Sequence, residues 1–331
     1  MHAYQYQPYS PFGPQKAEAP VLPLLLFPQK DKLFSKAEVI KIIKHLDQKG
    51  GPRPQDLPHL EQFSRQIMAS FAAGNFDKAE LAEISRCLGK EYLACTVNGR
   101  SLNKPEGYAG DYMLIESIYQ YLVTPHLKYR NWDLCFQETE AAQAVRNRKD
   151  YFKNQAAKLI LHKWEQDFSI LNLACGPARE IFELYQSLPQ HRFSTTCIDG
   201  DPKALAYAKN LLHAYSAQTE FIKGNAFRHR AEEQYDLIWS AGMFDYLNDK
   251  LFVYMLKRMK NWLKVGGKVI VGNFSTFQPS RYYMEVFGEW YLYHRNEADL
   301  IRLAIEAGYK MKQIHIGQEV KGINLFLHLS S

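Results

Sequence analysis

A turn built from small residues stands near the middle of this sequence and could bind an anionic or polar ligand. Ala174, Gly176 and Ala178 follow a short apolar run and lead into an amphipathic stretch that begins at Arg179. Strand, tight turn and helix in this order open a doubly wound nucleotide-binding unit, because small side chains let backbone N–H groups approach the ligand. About twenty residues later a second apolar run ends at Asp199, whose carboxylate is placed to accept hydrogen bonds from ribose hydroxyls.

Length and composition allow one large or two modest folded domains. The chain has 331 residues, of which 46% are hydrophobic, and this is enough to bury a sizeable core. The net charge of +6 is mild and permits an anionic partner without demanding one. The longest apolar stretch, residues 21–27, contains a proline and is too short to span a bilayer. No basic region or small-residue cleavage site precedes it, so we expect that it is not a signal peptide. We therefore expect no membrane partner.

The cysteines are scattered and lack the spacing of metal ligands. They are Cys87, Cys95, Cys135, Cys175 and Cys197. An odd number of dispersed thiols is typical of a reducing compartment. We therefore predict free thiols, no metal site and a cytoplasmic location.

Three segments of different character follow one another along the chain. Residues 1–30 are rich in proline, tyrosine and glutamine, which predicts an extended arm. In residues 31–135 apolar residues recur with helical spacing, starting from a capping box at Ser35 and Glu38. This pattern predicts a helical lid domain. Residues 136–331 form the third predicted domain, which opens with a long helix and then alternates strands with helices.

The pattern of strands and helices in the third domain predicts an α/β fold of the Rossmann-like kind. Its seven predicted strands span residues 170–174, 194–198, 219–223, 237–240, 268–272, 312–316 and 324–329. Alternation with helices predicts a mostly parallel sheet that is covered on both faces. Because a short glycine-containing loop joins the last two strands, we expect them to form a closing antiparallel hairpin.

The order and spacing of five motifs resemble class I S-adenosylmethionine-dependent methyltransferases. The motifs are residues 172–178 (Asn-Leu-Ala-Cys-Gly-Pro-Ala), 198–202 (Ile-Asp-Gly-Asp-Pro), 223–226 (Lys-Gly-Asn-Ala), 235–240 (Tyr-Asp-Leu-Ile-Trp-Ser) and 263–268 (Leu-Lys-Val-Gly-Gly-Lys). Three features depart from the family pattern. Asn172 stands where many members have an acidic residue, Ala174 and Ala178 replace glycines, and Asn225 replaces an aspartate that meets the adenine.

The resemblance implies an enzyme whose cofactor is S-adenosyl-L-methionine. It implies cofactor contacts at Ala174, Cys175, Gly176, Asp199, Gly200, Asp201, Asn225, Ala226, Phe227, Ser240, Ala241 and Gly242, with Tyr112 and Arg146 added from earlier segments. Arg146 and Arg148 lie in the predicted helix before the first strand, where a cation could meet the cofactor carboxylate. The alternative for either arginine is a solvated helix face.

A narrower resemblance covers most of the chain from residue 104. Residues 107–112, 144–148, 241–246, 272–274, 289–295 and 322–326 are similar to bacterial methyltransferases grouped with the 3-hydroxypalmitic acid methyl ester synthases. This resemblance implies a small-molecule acceptor and carboxyl O-methylation of a hydroxy fatty acid or a similar acid.

Aromatic and charged residues beyond the fourth and fifth predicted strands suggest the acceptor site. We predict catalytic roles for Asp245, Tyr246 and Glu285, and substrate contacts for Tyr108, Asp111, Asn273, Tyr283, Trp290, Tyr293 and Arg295. Aromatic rings with carboxylates suit an amine, for which Asp245 or Glu285 could act as base, whereas an acid would require Arg295 or tyrosine hydroxyls. Helix capping by Asp111 or Asp245, and core packing of residues 290–293, are the structural alternatives.

Other functions remain open at this point. N- or S-methylation of a small amine or amino acid is the main alternative. A nucleic-acid methyltransferase is disfavoured, because Asn/Asp-Pro-Pro-aromatic and Pro-Cys catalytic motifs are absent from the sequence. A non-catalytic cofactor-binding protein is disfavoured by Asp199. A homodimer formed by exchange of the arm is a further hypothesis.

Overall fold

The computed structural model describes residues 7–8, 32–163, 167–231 and 233–331. It divides the chain into two compact units, residues 1–143 with 279–291 and residues 144–278 with 292–331, which we call the helical unit and the sheet unit. The predicted arm lies outside the described residues except for Gln7–Pro8, which pair with Leu122–Val123 in a short antiparallel ladder. None of the helices in these ranges combines the length and apolar character that a membrane span needs.

The secondary structure elements are as follows. The helices are α1 (Lys36–Gln48), α2 (Leu57–Ala72), α3 (Lys78–Ser85), α4 (Gly89–Cys95), α5 (Val97–Asn103), α6 (Tyr112–Tyr119), α7 (Arg130–Glu138), α8 (Glu140–His162), α9 (Arg179–Ser187), α10 (Pro202–Leu211), α11 (Asp249–Asn261), α12 (Arg281–Gly288) and α13 (Glu297–Glu306). The strands of the main sheet are β1 (Phe168–Leu173), β2 (Phe193–Asp199), β3 (Thr219–Lys223), β4 (Tyr235–Ser240), β5 (Leu263–Phe274), β6 (Ile314–Gln318) and β7 (Asn324–Ser330).

The sheet unit contains the predicted seven-stranded sheet. The strand order is β3-β2-β1-β4-β5-β7-β6, with β7 antiparallel to both of its neighbours and the other pairings parallel. Apolar clusters cover both faces, which explains why the strands read as nearly continuous hydrophobic runs. The predicted fold class is therefore confirmed, including the closing hairpin and the helical N-terminal region.

The helical unit begins at the predicted capping box. The backbone N–H of Ser35 donates to the Glu38 carboxylate at 2.9 Å, and the Glu38 N–H donates to the Ser35 hydroxyl at 3.4 Å. Within this unit the aromatic core includes Trp132, whose ring packs edge-on against Tyr92 at 5.7 Å. The capping signal and the apolar spacing thus located the first helix correctly.

Some boundaries differ from the sequence-based expectation. The long helix expected from residue 138 is divided at Thr139, so that α7 and α8 are separate. The helix α12 was not expected, and residues 279–291 belong to the helical unit although the sequence places them between elements of the sheet unit. The strand β5 begins at Leu263, five residues before the predicted start. Short helices and extended strand ends have few local signals.

A buried carboxyl group connects three segments of the helical unit. Asp133 is fully buried, and its two oxygens accept hydrogen bonds from the backbone N–H groups of Val97 at 2.9 Å and Thr124 at 2.8 Å. Burial raises the pKa of Asp133 to about 7, against the opposing effect of these donors.

We expect Asp133 to make the stability of the helical unit fall as the pH rises. Its carboxyl holds a proton in the folded protein up to a pKa of about 7 but in the unfolded chain only up to 3.8. Between these values the folded state binds more protons, so stability decreases with rising pH, by on the order of 4 kcal/mol in all. Urea unfolding between about pH 4.5 and about pH 7.5 should show a flatter slope for Asp133→Asn. Asp150→Asn, at an exposed site, should retain the wild-type slope; equal slopes for all three proteins would contradict the assignment.

Candidate active site

The turn after β1 adopts the backbone that its small residues were expected to allow. Ala174, Gly176 and Ala178 all lie in the left-handed region, with φ of 55°, 54° and 52°. Glycine adopts this region freely, whereas alanine does so at a cost of about 1 kcal/mol. The two alanines therefore keep a backbone conformation that is typical of glycine, and within the turn the Gly176 N–H donates to Asp199 and the Ala178 N–H to the Cys175 carbonyl.

Asp199 connects the end of β2 to this turn. Its Oδ2 accepts a hydrogen bond from the Gly176 N–H at 2.8 Å, and its Oδ1 accepts one from the Asp201 N–H at 2.9 Å. Burial raises the pKa of Asp199, and the two backbone donors oppose that rise. Because a carboxylate oxygen can accept two hydrogen bonds, each oxygen still has capacity for a ligand hydroxyl.

The neighbouring predicted cofactor residues shape the ends of β2 and β3. Asp201 caps α10 by accepting a hydrogen bond from the Lys203 N–H at 2.8 Å. Asn225 accepts one from the Phe227 N–H at 2.8 Å, which forms a local turn after β3. Gly200 lies between the two aspartates, and Ala226 follows Asn225 in the turn. These residues lie at the carboxyl ends of parallel strands, where such sheets bind ligands.

An arginine side chain lies against the segment that follows β4. The guanidinium of Arg148 packs directly against Gly242, because a Cβ there would lie 3.0 Å from an amino nitrogen of Arg148. Arg148 itself is 5% exposed. Next to this glycine, Ser240 is fully buried and Ala241 nearly so. Of the two arginines that the sequence indicated in this helix, Arg148 makes the close approach to Gly242 and Arg146 is half-buried, and the predicted cofactor contact of Arg146 stays a prediction.

Asp245 is a buried carboxyl group beside the same segment. Its Oδ1 accepts a hydrogen bond from the Phe274 N–H at 2.6 Å, at the end of β5. Burial raises the pKa of Asp245 to about 7, and the positive charges of Arg148 and Arg295 counteract this rise. Helix capping does not account for the residue, because the cap of α11 is Asn248, which accepts from the Leu251 N–H at 3.0 Å.

Arg295 holds the end of β5 to the segment before α11. Its guanidinium donates to the carbonyls of Phe244 and Leu247, to Asn273 Oδ1 and to Asp249. These bonds engage all five N–H groups of an arginine, which weighs against its predicted contact with the acceptor. Asn273 is likewise fully buried and donates to the carbonyls of Phe274 and Tyr293 at 3.0 and 2.8 Å.

Two exposed tyrosines remain near Asp245 in the sheet unit. The side chains of Tyr246 and Tyr293 are 43% and 52% exposed. Tyr246 follows Asp245 in the chain, and the Tyr293 N–H donates to the Asp245 carbonyl at 2.8 Å. The structure therefore brings Asp245, Tyr246, Tyr293, Asn273 and Arg295 together, as the sequence predicted for this part of the site.

The loop residues predicted to contact a ligand belong to the helical unit. Asp111 caps α6 by accepting the N–H groups of Met113 and Leu114, each at 2.9 Å, and it also accepts from Arg100 Nε at 2.8 Å. The capping alternative is thus observed. Tyr108 is exposed and Tyr112 half-buried, and their predicted ligand contacts stay predictions.

The remaining predicted acceptor residues also belong to the helical unit. Tyr283 is buried, and its hydroxyl accepts a hydrogen bond from Asn98 at 3.3 Å. Glu285 is buried and accepts from Arg281 Nε at 2.7 Å. Trp290 is 6% exposed, as the core-packing alternative expected. For these three residues the observed contacts are structural, and their roles in catalysis or binding stay predictions.

The comparison with known proteins agrees with the geometry around β1 and β2. Residues 170–267 match the family model described as "Methyltransferase domain". The chain contains a methyltransferase domain. The match runs from β1 into β5 and includes the small-residue turn, Asp199, Asn225 and the segment after β4. In the described ranges no group of His, Cys, Asp and Glu could hold a metal ion.

One curated relative supports the same assignment at low identity. Malonyl-[acyl-carrier protein] O-methyltransferase 1 of Ilyobacter polytropus is 25% identical over 147 residues, which are 44% of this chain and 52% of that protein. The chain thus spans about half the length of the curated relative that it matches.

A solved structure with a TM-score of 0.60 shows a similar fold. A possible exported protein from Bordetella parapertussis has a TM-score of 0.60 at 19% identity, over 84% of this chain and 96% of that chain. Magnesium protoporphyrin IX methyltransferase from Synechocystis PCC 6803, solved with S-adenosylmethionine bound, has a TM-score of 0.44 at 12% identity, over 58% of this chain and 83% of that one. The first of these likenesses covers most of the chain. A cytoplasmic location stays a prediction.

We expect Ala174→Gly to leave the protein as stable as the wild type or to stabilise it by up to about 1 kcal/mol. Glycine removes the left-handed strain at φ 55° but adds entropy to the unfolded chain. Ala206→Gly is the matched control, because Ala206 is exposed in α10 and its replacement should cost about 1 kcal/mol. Urea unfolding measures both values, and equal losses would contradict the strain assigned to the turn.

Proposed function

We propose that this protein is an enzyme that transfers the methyl group of S-adenosylmethionine to the carboxylate of a small organic acid. The observation that carries the proposal is the bond between Asp199 and the Gly176 N–H, within a segment that matches a methyltransferase domain. The remaining acceptor capacity of Asp199 suits the two ribose hydroxyls of the cofactor. Asn225, Ala226 and Phe227 would lie beside the adenine.

Two features favour an acid as the acceptor. Arg148 places a buried guanidinium against Gly242, at the end of β4, and guanidinium pairs well with carboxylate. The curated relative is named as an O-methyltransferase of a malonyl group, which carries a free carboxyl. A carboxylate is already ionised at neutral pH, so its methylation needs alignment with the sulfonium and exclusion of water rather than a strong base.

N-methylation of a small amine is the second candidate. It is favoured by Asp245, because a buried carboxyl with a pKa of about 7 is suited to accept a proton near neutral pH. The two candidates assign opposite roles to the same group. An ionised Asp245 would help to deprotonate an amine, whereas it would repel the carboxylate of an acid.

We expect calorimetric titration to show that Asp199 is essential for cofactor binding. Asp199→Ala should weaken the binding of S-adenosylhomocysteine by on the order of a hundredfold, because two charge-assisted hydrogen bonds are lost. Glu220→Ala removes an exposed carboxylate from the neighbouring strand β3 and should leave the affinity unchanged. Absence of binding by the wild type, or equal affinities for all three proteins, would contradict the proposed function.

The pH dependence of kcat/KM should distinguish the two acceptors. For an acid, we expect kcat/KM to fall several-fold as the pH rises through about 7, because Asp245 then acquires a negative charge. Asp245→Asn should remove this pH dependence. The variant should keep, at every pH, the kcat/KM that the wild type has below about pH 7. If instead kcat/KM rises through about 7 and Asp245→Asn is inactive, the acceptor is an amine and Asp245 its base.

A further inference from the structure

The side chain of Asn324, at the carboxyl edge of the sheet, is buried and has no hydrogen-bond partner in the part of the chain that the structure describes. Asn324, the first residue of β7, has no exposed surface, and neither its Nδ2 nor its Oδ1 has a partner among the described residues. Buried amide groups are almost always paired, and each unpaired polar group costs about 1–3 kcal/mol. A side chain of this kind therefore requires an explanation.

Hydrogen bonds fix the backbone of Asn324, although its side-chain amide makes none among the described residues. The Asn324 N–H donates to Glu319 Oε1 at 3.2 Å, and the Asn324 carbonyl accepts from the Glu319 N–H at 3.2 Å. The other carboxylate oxygen of Glu319 accepts from Asn147 of α8 at 2.7 Å. The fold thus fixes the position of the amide by contacts that do not involve the amide itself. Leucine would fill a similar volume without an unpaired group.

The amide lies on the face of the sheet that α8 covers. Phe326, two residues further along β7, stacks on Tyr151 of α8 with ring centroids 3.9 Å apart, and residues two apart in a strand share a face. A Cβ at Gly272 would lie 3.4 Å from Asn324 Oδ1 and would collide with the Ala241 carbonyl. Asn324 is therefore close to the segment after β4, which the resemblance assigns to the cofactor.

Strand order places Asn324 opposite the cofactor ribose. Asp199 ends β2, whereas β7 lies beyond β4 and β5 on the other side of β1. Asn324 also pairs with Phe274 of β5, and the Phe274 N–H donates to Asp245. The side of the sheet that Asn324 shares with Asp245 is thus the side that remains for the methyl acceptor.

We propose that Asn324 is a specificity-determining residue that binds the methyl acceptor through its side-chain amide. An amide offers donors and an acceptor together, so its complement is a group with a hydrogen-bond donor next to an acceptor. A hydroxyl near a carboxylate and an amino group near a carboxylate both have this chemistry, whereas a plain carboxylate would leave Oδ1 unpaired. This inference rests on the proposed function and assigns to it a residue and a required feature of the acceptor.

The first test compares stability in two matched variants. Because the Asn324 amide has no partner among the described residues, Asn324→Leu should leave the melting temperature unchanged or raise it. Tyr309→Phe is the control: within the described part of the chain the Tyr309 hydroxyl is also buried and unpaired, but it lies in the apolar cluster near the end of α13. Both variants should be as stable as the wild type or more stable. A lower melting temperature for Asn324→Leu alone would overturn the proposal, because the amide would then have a structural partner.

The second test measures binding of three probes in the presence of S-adenosylhomocysteine. We expect 3-hydroxydecanoate or 3-aminodecanoate to bind the wild type and Tyr309→Phe on the order of tenfold more tightly than decanoate. Asn324→Leu should lose this preference while its affinity for S-adenosylhomocysteine is unchanged. The tighter of the two substituted probes identifies the donor.

The other outcomes of the binding test are equally decisive. Equal binding of all three probes, binding of none, or a preference that Asn324→Leu retains would overturn the role of Asn324. Failure of the wild type to bind S-adenosylhomocysteine is a different result, since it would overturn the proposed function itself.

Discussion

The hydrogen bond from the Gly176 N–H to the Asp199 carboxylate is the contact on which the site geometry depends. It can form only if β1 and β2 are parallel neighbours, so that the turn after one strand meets the end of the other. It also requires the Gly176 N–H to face Asp199, and the turn achieves this with Ala174, Gly176 and Ala178 in the left-handed conformation. The sheet order, the small residues and the carboxylate are therefore parts of one arrangement, and a larger or β-branched residue in the turn would disrupt all three.

Two opposing effects determine the protonation state of Asp245, at the other end of the site. Asp245 is removed from water, which favours its neutral form, while the Phe274 N–H and the charges of Arg148 and Arg295 favour the carboxylate. Burial has the larger effect and brings the pKa to about 7. A group balanced in this way changes charge near neutral pH, where a small change in its surroundings alters the protonation state.

The sequence predicted the parts of the structure that depend on local or repeating patterns. The strands were identified because a sheet covered on both faces needs continuous apolar runs, and Asp199 because it ends one of them. The partners of buried polar residues could not be predicted in this way. Arg295 meets carbonyls and side chains between residues 244 and 273, and Tyr283 meets Asn98, contacts that only the tertiary fold brings together. Asn324 lies in a segment that carries the narrower resemblance, but a single polar residue at the start of an apolar strand is ordinary, and nothing in the sequence indicated that its amide would be buried without a partner among the described residues.

The strand order separates the two tasks that methyl transfer requires. Residues that we assign to the cofactor end β1, β2 and β3, while those that we assign to the acceptor end β5 and begin β7, and the segment after β4 lies between them. In-line transfer needs the sulfonium and the acceptor atom on a common axis, and this intermediate position of β4 allows it. Because the two sets lie on different strands, a substitution at Asn324 can alter the acceptor without displacing Asp199. A fold divided in this way can keep one cofactor while its acceptor changes.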